Sequence, residues 1–504
     1  LTVAANAPDL DRAHPERVIH ALLLIPLLVS LTIGISLAFG MGGSDLFQLV
    51  LALFTAAIAL IPLVADQGRR PSERHVLLST FTFVFIIGFV LPVFVIFMPA
   101  VGPIDAPTYS GSSLMPEDVI RGQLATILGL VCLLIGYALP VGRMIAGTLP
   151  TFRHDWPPAA ALAVASMIIP FGWIILLSGL LGIRINELGS GFVSILGSSY
   201  IYGIALLTIV YLRHKSSLAL VMLAVVIPLT SLFGLFTGSK QAVLIAGAMV
   251  VFSIILVRRR IGMRWIALSV LAASLTFPIG QFVRQDVLAG NTLSPVTALR
   301  NPVATVGRIS DFVTGSRPGE YFTDGLLYVV ARMDCIGAAS VLIRDTPRVA
   351  PFQNGRTLAL FFVAFVPRLL WPEKPTIPIG EYITEAYVSG PGSNTATAPT
   401  QLGEYFINFG YPGIVGGMLL FGVMLRFAHH MLLSGRPTTP ALLVAVVVLF
   451  RLVVGFQGAT ASNFAVTVMS IPPIVATHVA VRMLFPTPKR PLAGLSSDGR
   501  SAPA

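Results

Sequence analysis

The chain has 504 residues, of which 55% are apolar and only 11% charged, with a formal net charge of +11 and a mean hydropathy of +0.85. A soluble domain carries about 25% charged residues, so an ordinary soluble protein is excluded, and apolar runs long enough to cross a bilayer recur throughout. Two cysteines, Cys132 and Cys335, exclude a disulfide framework and a Cys-rich metal site, and a positive surplus spread over short loops between apolar runs argues against a nucleic-acid partner.

In chain order, the first apolar run, Val18–Gly40, is too long for a signal-peptide core and reads as the first spanning helix. Twelve transmembrane helices follow from the pattern, roughly at 18–40, 46–65, 76–98, 122–142, 157–182, 195–212, 217–236, 241–257, 265–281, 401–425, 438–456 and 464–484. The fold class expected is therefore an all-α polytopic membrane protein. It divides into a nine-helix bundle over 1–280, a large loop over 281–400, three helices over 401–485 and a disordered tail over 486–504. Alternate connections hold the basic clusters, from Arg12/Arg17 and Arg69/Arg70/Arg74 through Arg258/Arg259/Arg260/Arg264 to Arg482/Lys489/Arg490. The other short connections hold only Arg121, Arg184, Lys240 and Arg451. By the positive-inside rule this places both termini in the cytoplasm and the large loop outside.

That topology puts all eight histidines, His14, His20, His75, His154, His214, His429, His430 and His478, at the cytoplasmic side. The outer face then has no imidazole base and no His-based metal site. The large loop carries about ten basic and about ten acidic residues. Within it, Thr357–Trp371 is apolar but short for a span, which suits a re-entrant or interfacial segment. Ala298–Arg348 mixes apolar and charged residues at helical spacing, as amphipathic helices on the membrane surface do. No internal repeat is evident, which gives an inverted-repeat transporter no support.

Ionisable residues near the outer helix ends carry the chemical signal, since a charge inside the bilayer needs a partner or a purpose. Lys240 follows Gly238-Ser239 in a tight turn, where Ser239 is placed to cap the next helix beside an ammonium. A snorkelling lysine in an ordinary turn is an equal alternative. Arg284, with Asp286 two residues on, stands at the end of the ninth span, as an interfacial anchor or as part of a phosphate clamp. Phe365–Pro375, Phe-Val-Pro-Arg-Leu-Leu-Trp-Pro-Glu-Lys-Pro, sets Arg368 and Lys374 beside Trp371 on a backbone stiffened by three prolines. Such an elbow is either a preorganised anion site or a membrane anchor. Ser393–Gly410 then supplies hydroxyls and enters the tenth span with Gln401, Glu404 and Asn408 on one face. Glu404 is a candidate general base or the partner of an arginine.

The Pro367-Arg368-Leu-Leu-Trp371-Pro372-Glu-Lys374-Pro375 block, followed by Gly403-Glu404-Tyr405-Phe-Ile-Asn408-Phe409-Gly410, resembles the Wzy-type O-antigen and capsule repeat-unit polymerases. The Gly238-Ser239-Lys240 turn is similar to that family's Gly-Ser-Arg turn, with a point-like ammonium in place of a bidentate guanidinium. The resemblance covers most of the chain as architecture and about forty residues as motif. It implies a GT-C-like glycosyltransferase with one large periplasmic loop in the bacterial inner membrane. Such an enzyme uses neither metal nor nucleotide sugar, and it joins undecaprenyl-pyrophosphate-linked oligosaccharides into O-antigen, capsule or exopolysaccharide. It also implies a polysaccharide chain-length regulator as a partner. On this basis Arg284, Arg368 and Glu404 are expected in catalysis, and Lys240, Lys374, Trp371, Asn408 and Tyr405 in substrate binding. An O-antigen ligase ranks lower for want of a histidine in the outer loop. A polysaccharide transporter or flippase would call for mid-membrane charges and repeat symmetry, and a non-enzymatic scaffold stays open.

Overall fold

The computed structural model describes residues 43–97, 114–180, 195–236, 240–288, 301–315, 317–366, 371, 373–374, 379–388 and 396–486, and among them the chain is helical with no β-strand. The helices are α1 (Gly43–Gln67), α2 (Val76–Phe89, continued by a π turn at Val93–Phe97), α3 (Pro116–Ala138), α4 (Val141–Thr148), α5 (Pro158–Leu180) and α6 (Ser199–His214). They continue as α7 (Ser217–Phe236), α8 (Lys240–Arg258), α9 (Met263–Leu288), α10 (Pro302–Gly315), α11 (Pro318–Arg332) and α12 (Cys335–Asp345). The last six are α13 (Arg356–Ala364), α14 (Ile379–Ile383, with a π turn to Val388), α15 (Gln401–Leu433), α16 (Thr439–Gly455), α17 (Thr460–Met469) and α18 (Ile471–Leu484).

Nine stretches among the described residues are long and apolar enough to cross a membrane, and α8 and α16 supply two shorter apolar helices. The protein is a multi-pass, all-α membrane protein. The expected span at 18–40 lies outside the described residues. The span expected at 195–212 is a 16-residue helix, α6, whose first twelve residues are all buried in the bundle. Prolines inside α1, α5, α7, α9 and α15 are accommodated there, as they are where neighbouring helices satisfy the freed carbonyls.

The connections sort onto two faces. On one, Arg259 donates to the carbonyls of Ser72 (2.9 Å), Pro71 (3.5 Å), Gly435 (3.1 Å) and Leu433, while Arg74 donates to the Arg259 carbonyl at 3.1 Å. Thr438 Oγ1 reaches the Phe152 carbonyl at 2.9 Å, and Arg213 reaches Thr439 Oγ1 at 2.8 Å. The 66–75, 139–157, 213–216, 258–262 and 433–439 connections therefore share this face, and they are the connections that carry the basic clusters. His75, His154, His214, His429 and His430 lie on or beside it, and His478 accepts from Trp156 Nε1 at 3.0 Å. On the opposite face Arg344 approaches Asp118 at 3.8 Å, the Thr400 amide donates to the Gln457 carbonyl at 2.9 Å, and the Gln353 amide to the Ile407 carbonyl at 2.8 Å.

Within 298–348, where amphipathic helices on the membrane surface are expected, α12 is instead buried in the protein. Tyr321–Asp345 has the length and hydropathy of a span, but neither end reaches the histidine-bearing face. Tyr321 Oη donates to the Leu275 carbonyl halfway along α9, and Gly325 lies against the Ser274 backbone. The helix breaks at Met333–Asp334 beside Gln457, and α12 then rises to Asp118 at the start of α3. Among the residues of α12 all but Arg344 are buried. The run Cys-Ile-Gly-Ala-Ala-Ser-Val-Leu-Ile is apolar all round, so it seeks a protein interior, yet it is too short to cross. Cys335 is correspondingly a buried core residue, its sulfur facing Gly88.

Small residues let the central pair of helices touch backbone to backbone. A Cβ on Gly136 of α3 would lie 2.0 Å from the Leu419 carbonyl oxygen of α15, and one on Gly422 would lie 2.1 Å from the Leu133 carbonyl oxygen. With no hydrophobic drive between helices in lipid, such close packing is what holds them. Within α15, Phe409 and Gly410 leave helical geometry, and Gly410 takes φ 65°, ψ −149°, a conformation essentially reserved for glycine. Pro412 follows with no amide hydrogen to offer. The helix is therefore an eight-residue peg, Gln401–Asn408, set on a long shaft that ends at Leu433.

Candidate functional site

The peg holds three of the expected site residues. Thr400 opens it at φ 60°, ψ 154°, an unusual backbone for a β-branched residue. Its hydroxyl accepts from the Gly403 amide at 3.1 Å, while its own amide and that of Gln401 donate at 2.9 Å to the Gln457 and Phe456 carbonyls. Strain of this kind persists only where the surroundings over-determine it. Glu404 is completely buried. Its carboxylate accepts a short hydrogen bond from the Thr460 amide and another from the Ala461 amide. These are the first two amides of α17, whose N-cap, Ala459, has no side chain to cap them. Glu404 thus provides from another helix the cap that α17 lacks. The arginine considered as its partner is replaced by a helix N-terminus, where a carboxylate also meets the favourable end of the dipole.

Asn408, one turn on, is also completely buried. Its Nδ2 donates to Thr357 Oγ1 at 2.7 Å and to the Glu404 carbonyl at 2.8 Å. The Thr357 hydroxyl in turn lies against the Glu404 carboxylate. Glu404 Oε1 and Asn408 Oδ1 have no hydrogen-bond partner of normal geometry among the described residues. Tyr405 is buried with its ring on Gly417, and its hydroxyl accepts from Gln401 Nε2 at 3.2 Å. The three motif residues therefore form the interior of the site rather than an open surface.

Thr357 belongs to the first turn of α13, and the far end of the same helix holds the elbow. Lys374 Nζ donates to the carbonyls of Ala364 at 2.9 Å and Val366 at 3.0 Å, the orphan acceptors at the α13 C-terminus. The ammonium expected to bind substrate is thus engaged as a helix cap. Trp371, between them in the elbow, is 40% exposed. α13 is a strut about 13 Å long, tied to Asn408 at one end and to the elbow at the other, and it packs along α17.

The expected cations are placed unevenly. Lys240 begins α8 and Arg284 falls in the last two turns of α9, and nothing is described of either side chain. Asp286 also lies in the last turns of α9 with nothing described of its side chain, and Arg368 and the Gly238-Ser239 turn fall outside what is described. The structure adds residues that the sequence did not single out. Asp345 accepts from Arg344 at 2.9 and 2.8 Å and from Arg348 at 3.3 Å, and Arg344 also nears Asp118, so a four-member ion-pair chain runs along the outer end of α12. The spacing Ile-Arg-Asp-Thr-Pro-Arg held the signal, with two arginines one and three residues from the aspartate. Behind it, the Thr346 hydroxyl and Tyr387 Oη pair at 2.9 Å, and burial raises the phenol pKa of Tyr387. Asp334 caps α12 through the Gly337 amide at 2.8 Å, at the break between α11 and α12.

Fold and site together define a multi-pass, all-α membrane protein with a broken apolar segment at 321–345 and a buried polar peg beneath one face. Residues 122–431, more than half of the chain, match the family model described as Domain of unknown function (DUF8712), and the chain belongs to that family. All eight expected site residues fall inside the matched stretch, whereas α17, which Glu404 caps, lies beyond it. No curated protein and no solved structure matches the chain.

Proposed function

We propose that the protein is a GT-C-like, metal-independent membrane glycosyltransferase that polymerises undecaprenyl-pyrophosphate-linked repeat units into a surface polysaccharide. The reaction takes place at the face opposite the histidines. On the charge rule that face is periplasmic, with both termini in the cytoplasm of a bacterial inner membrane. The observation that carries the reading is the strut. The proline-rich elbow and the Gly403–Gly410 block, the two halves of the motif that resembles Wzy-type polymerases, are joined through α13 into one hydrogen-bonded unit.

In this reaction a hydroxyl of the incoming repeat unit attacks the anomeric carbon of the growing chain, and its proton passes to the departing pyrophosphate. The bond from that carbon to the pyrophosphate oxygen breaks, and the lipid pyrophosphate departs with the electron pair. Preorganised positive charge at the leaving group is the largest contribution available to such a transfer. Arg284 and Arg368 are assigned to it, with Lys240 as a weaker, point-like contributor. Trp371 offers an apolar platform for a sugar ring at the membrane interface. Glu404, Asn408 and Lys374 are assigned to positioning. The first two fix the peg to α13 and α17, and the third latches the elbow to α13.

A single assay tests the reading. Purified protein is given its host's lipid-linked repeat unit with EDTA and no nucleotide sugar, and the products are resolved on a gel. A ladder of multimers is expected. Unchanged monomer that is consumed only when the lipid A core acceptor is added would identify a ligase. Translocation across a proteoliposome without any new glycosidic bond would identify a transporter, the reading that the broken segment at Met333–Asp334 favours, since discontinuous helices line transport sites.

A further inference from the structure

The histidine-bearing face contains a cavity of about 290 Å³ between the 149–157 connection, the end of α15 and the 434–438 loop. Its polar lining is Arg153, Arg436, His430, Thr151, Ser434 and Thr438, and no carboxylate contributes to it. Neither Arg153 nor Arg436 makes an ion pair among the described residues. The nearest acid, Asp155, is already taken up: Arg213 sits at 3.0 Å, and the Thr439 and Trp156 amides donate to it at 2.7 and 2.9 Å. His430 accepts or donates through Nδ1 to Ser434 at 3.1 Å, while its other nitrogen, Nε2, is buried without a partner. Behind His430, Arg426 also lacks a carboxylate, meeting only the His75 ring at 3.4 Å and the Tyr137 face at 5.1 Å.

Positive charge is thus concentrated around a small polar cavity whose lining, among the described residues, holds nothing negative to answer it. Thr438 already donates to the Phe152 carbonyl, which leaves two guanidinium forks, the Thr151 hydroxyl and the one donor that the His430–Ser434 pair leaves free, a set that suits a tetrahedral oxyanion. We propose that this cavity binds a phosphate-bearing anion at the histidine-bearing face. The ligand is either a soluble phosphate or the headgroup phosphate of an anionic lipid, which share this chemistry. The proposal goes beyond the polymerase reading and stands without it.

The test uses the full chain, purified in detergent for the soluble arm and in nanodiscs for the lipid arm. Inorganic phosphate, compared with chloride at equal ionic strength, is titrated while the melting temperature is followed. Nanodiscs of phosphatidylglycerol or phosphatidylcholine are compared by native mass spectrometry for retained lipid. Both arginines are exposed, so Arg153→Gln and Arg436→Gln should melt as the parent does without ligand. Each is expected to weaken phosphate binding on the order of tenfold, and Arg121→Gln on the opposite face should not. Stabilisation by phosphate that both variants lose supports the site with a soluble ligand. Retained phosphatidylglycerol that both variants lose, without a phosphate effect, supports it with a lipid ligand. If neither binding depends on Arg153 or Arg436, the proposal is overturned.

Discussion

Replacing Glu404 by glutamine separates two roles that the sequence leaves open. The carboxylate is completely buried and caps the first two amides of α17. A hydrogen bond to a charged group contributes roughly 1.5–3 kcal/mol net, and a charge at a helix N-terminus adds about 0.3–1 kcal/mol. Glutamine keeps the volume and one carbonyl acceptor but loses the charge, so Glu404→Gln should cost about 1–2 kcal/mol. Glu404→Ala removes the acceptor and opens a cavity, and about 3–5 kcal/mol is expected. The assay is thermal unfolding of the purified protein alongside chain-length analysis in cells lacking the native gene. For a positioning residue, Glu404→Gln melts lower and still makes polymer, while Glu404→Ala is poorly folded. For a general base, glutamine would cost about 10²–10⁴ in rate at an unchanged melting temperature. That second pattern would falsify the capping assignment.

Arg259 holds three connections of the histidine-bearing face through four carbonyls. An ammonium cannot span them, so Arg259→Lys should destabilise by roughly 2–4 kcal/mol, read as a lowered melting temperature, and an unchanged one would contradict the tie. His75 Nδ1 pairs with Tyr137 Oη at 2.8 Å, and burial first, then Arg426, Arg69 and His430, lowers its pKa to about 3. The unfolded chain therefore takes up the proton first, so the stability His75 contributes is full above pH ~6.5 and falls as the pH drops from there towards 3, by at most about 1.4 kcal/mol per unit. His75→Gln should flatten the melting-temperature profile between pH 7 and 5, and an equally steep profile would count against a neutral His75. Arg284→Ala and Arg368→Ala should each abolish chain growth while the protein stays in the membrane, and normal chain lengths in both would remove the pyrophosphate-clamp assignment.

The long apolar helices were legible because a hydropathy window measures the property that a bilayer selects, and the alternation of basic loops recovers which connections share a face. α12 did not stand out because its run of small or apolar residues is only nine long, between Asp334 and Arg344, so only its contacts reveal it as core. The Gln401–Glu404–Asn408 stripe was legible as one helix face, but its partner was not. Glu404 bonds to backbone amides 56 positions away, and an amide leaves no mark in a sequence. The cap that Lys374 makes was hidden for the same reason, since the carbonyls it meets belong to every residue type alike. Arg259 is indistinguishable by type from Arg258 and Arg260, and only its left-handed backbone, φ 50°, turns it inward.

The break at Gly410 makes α15 two mechanical parts rather than one. Its shaft is seated on α3 through glycine contacts that leave no room to slide. Its peg answers instead to α13, α17 and the 456–457 turn. The elbow at Trp371 is therefore linked through the strut to the peg, while the histidine-bearing face is tied separately, through Arg259, to the end of the shaft.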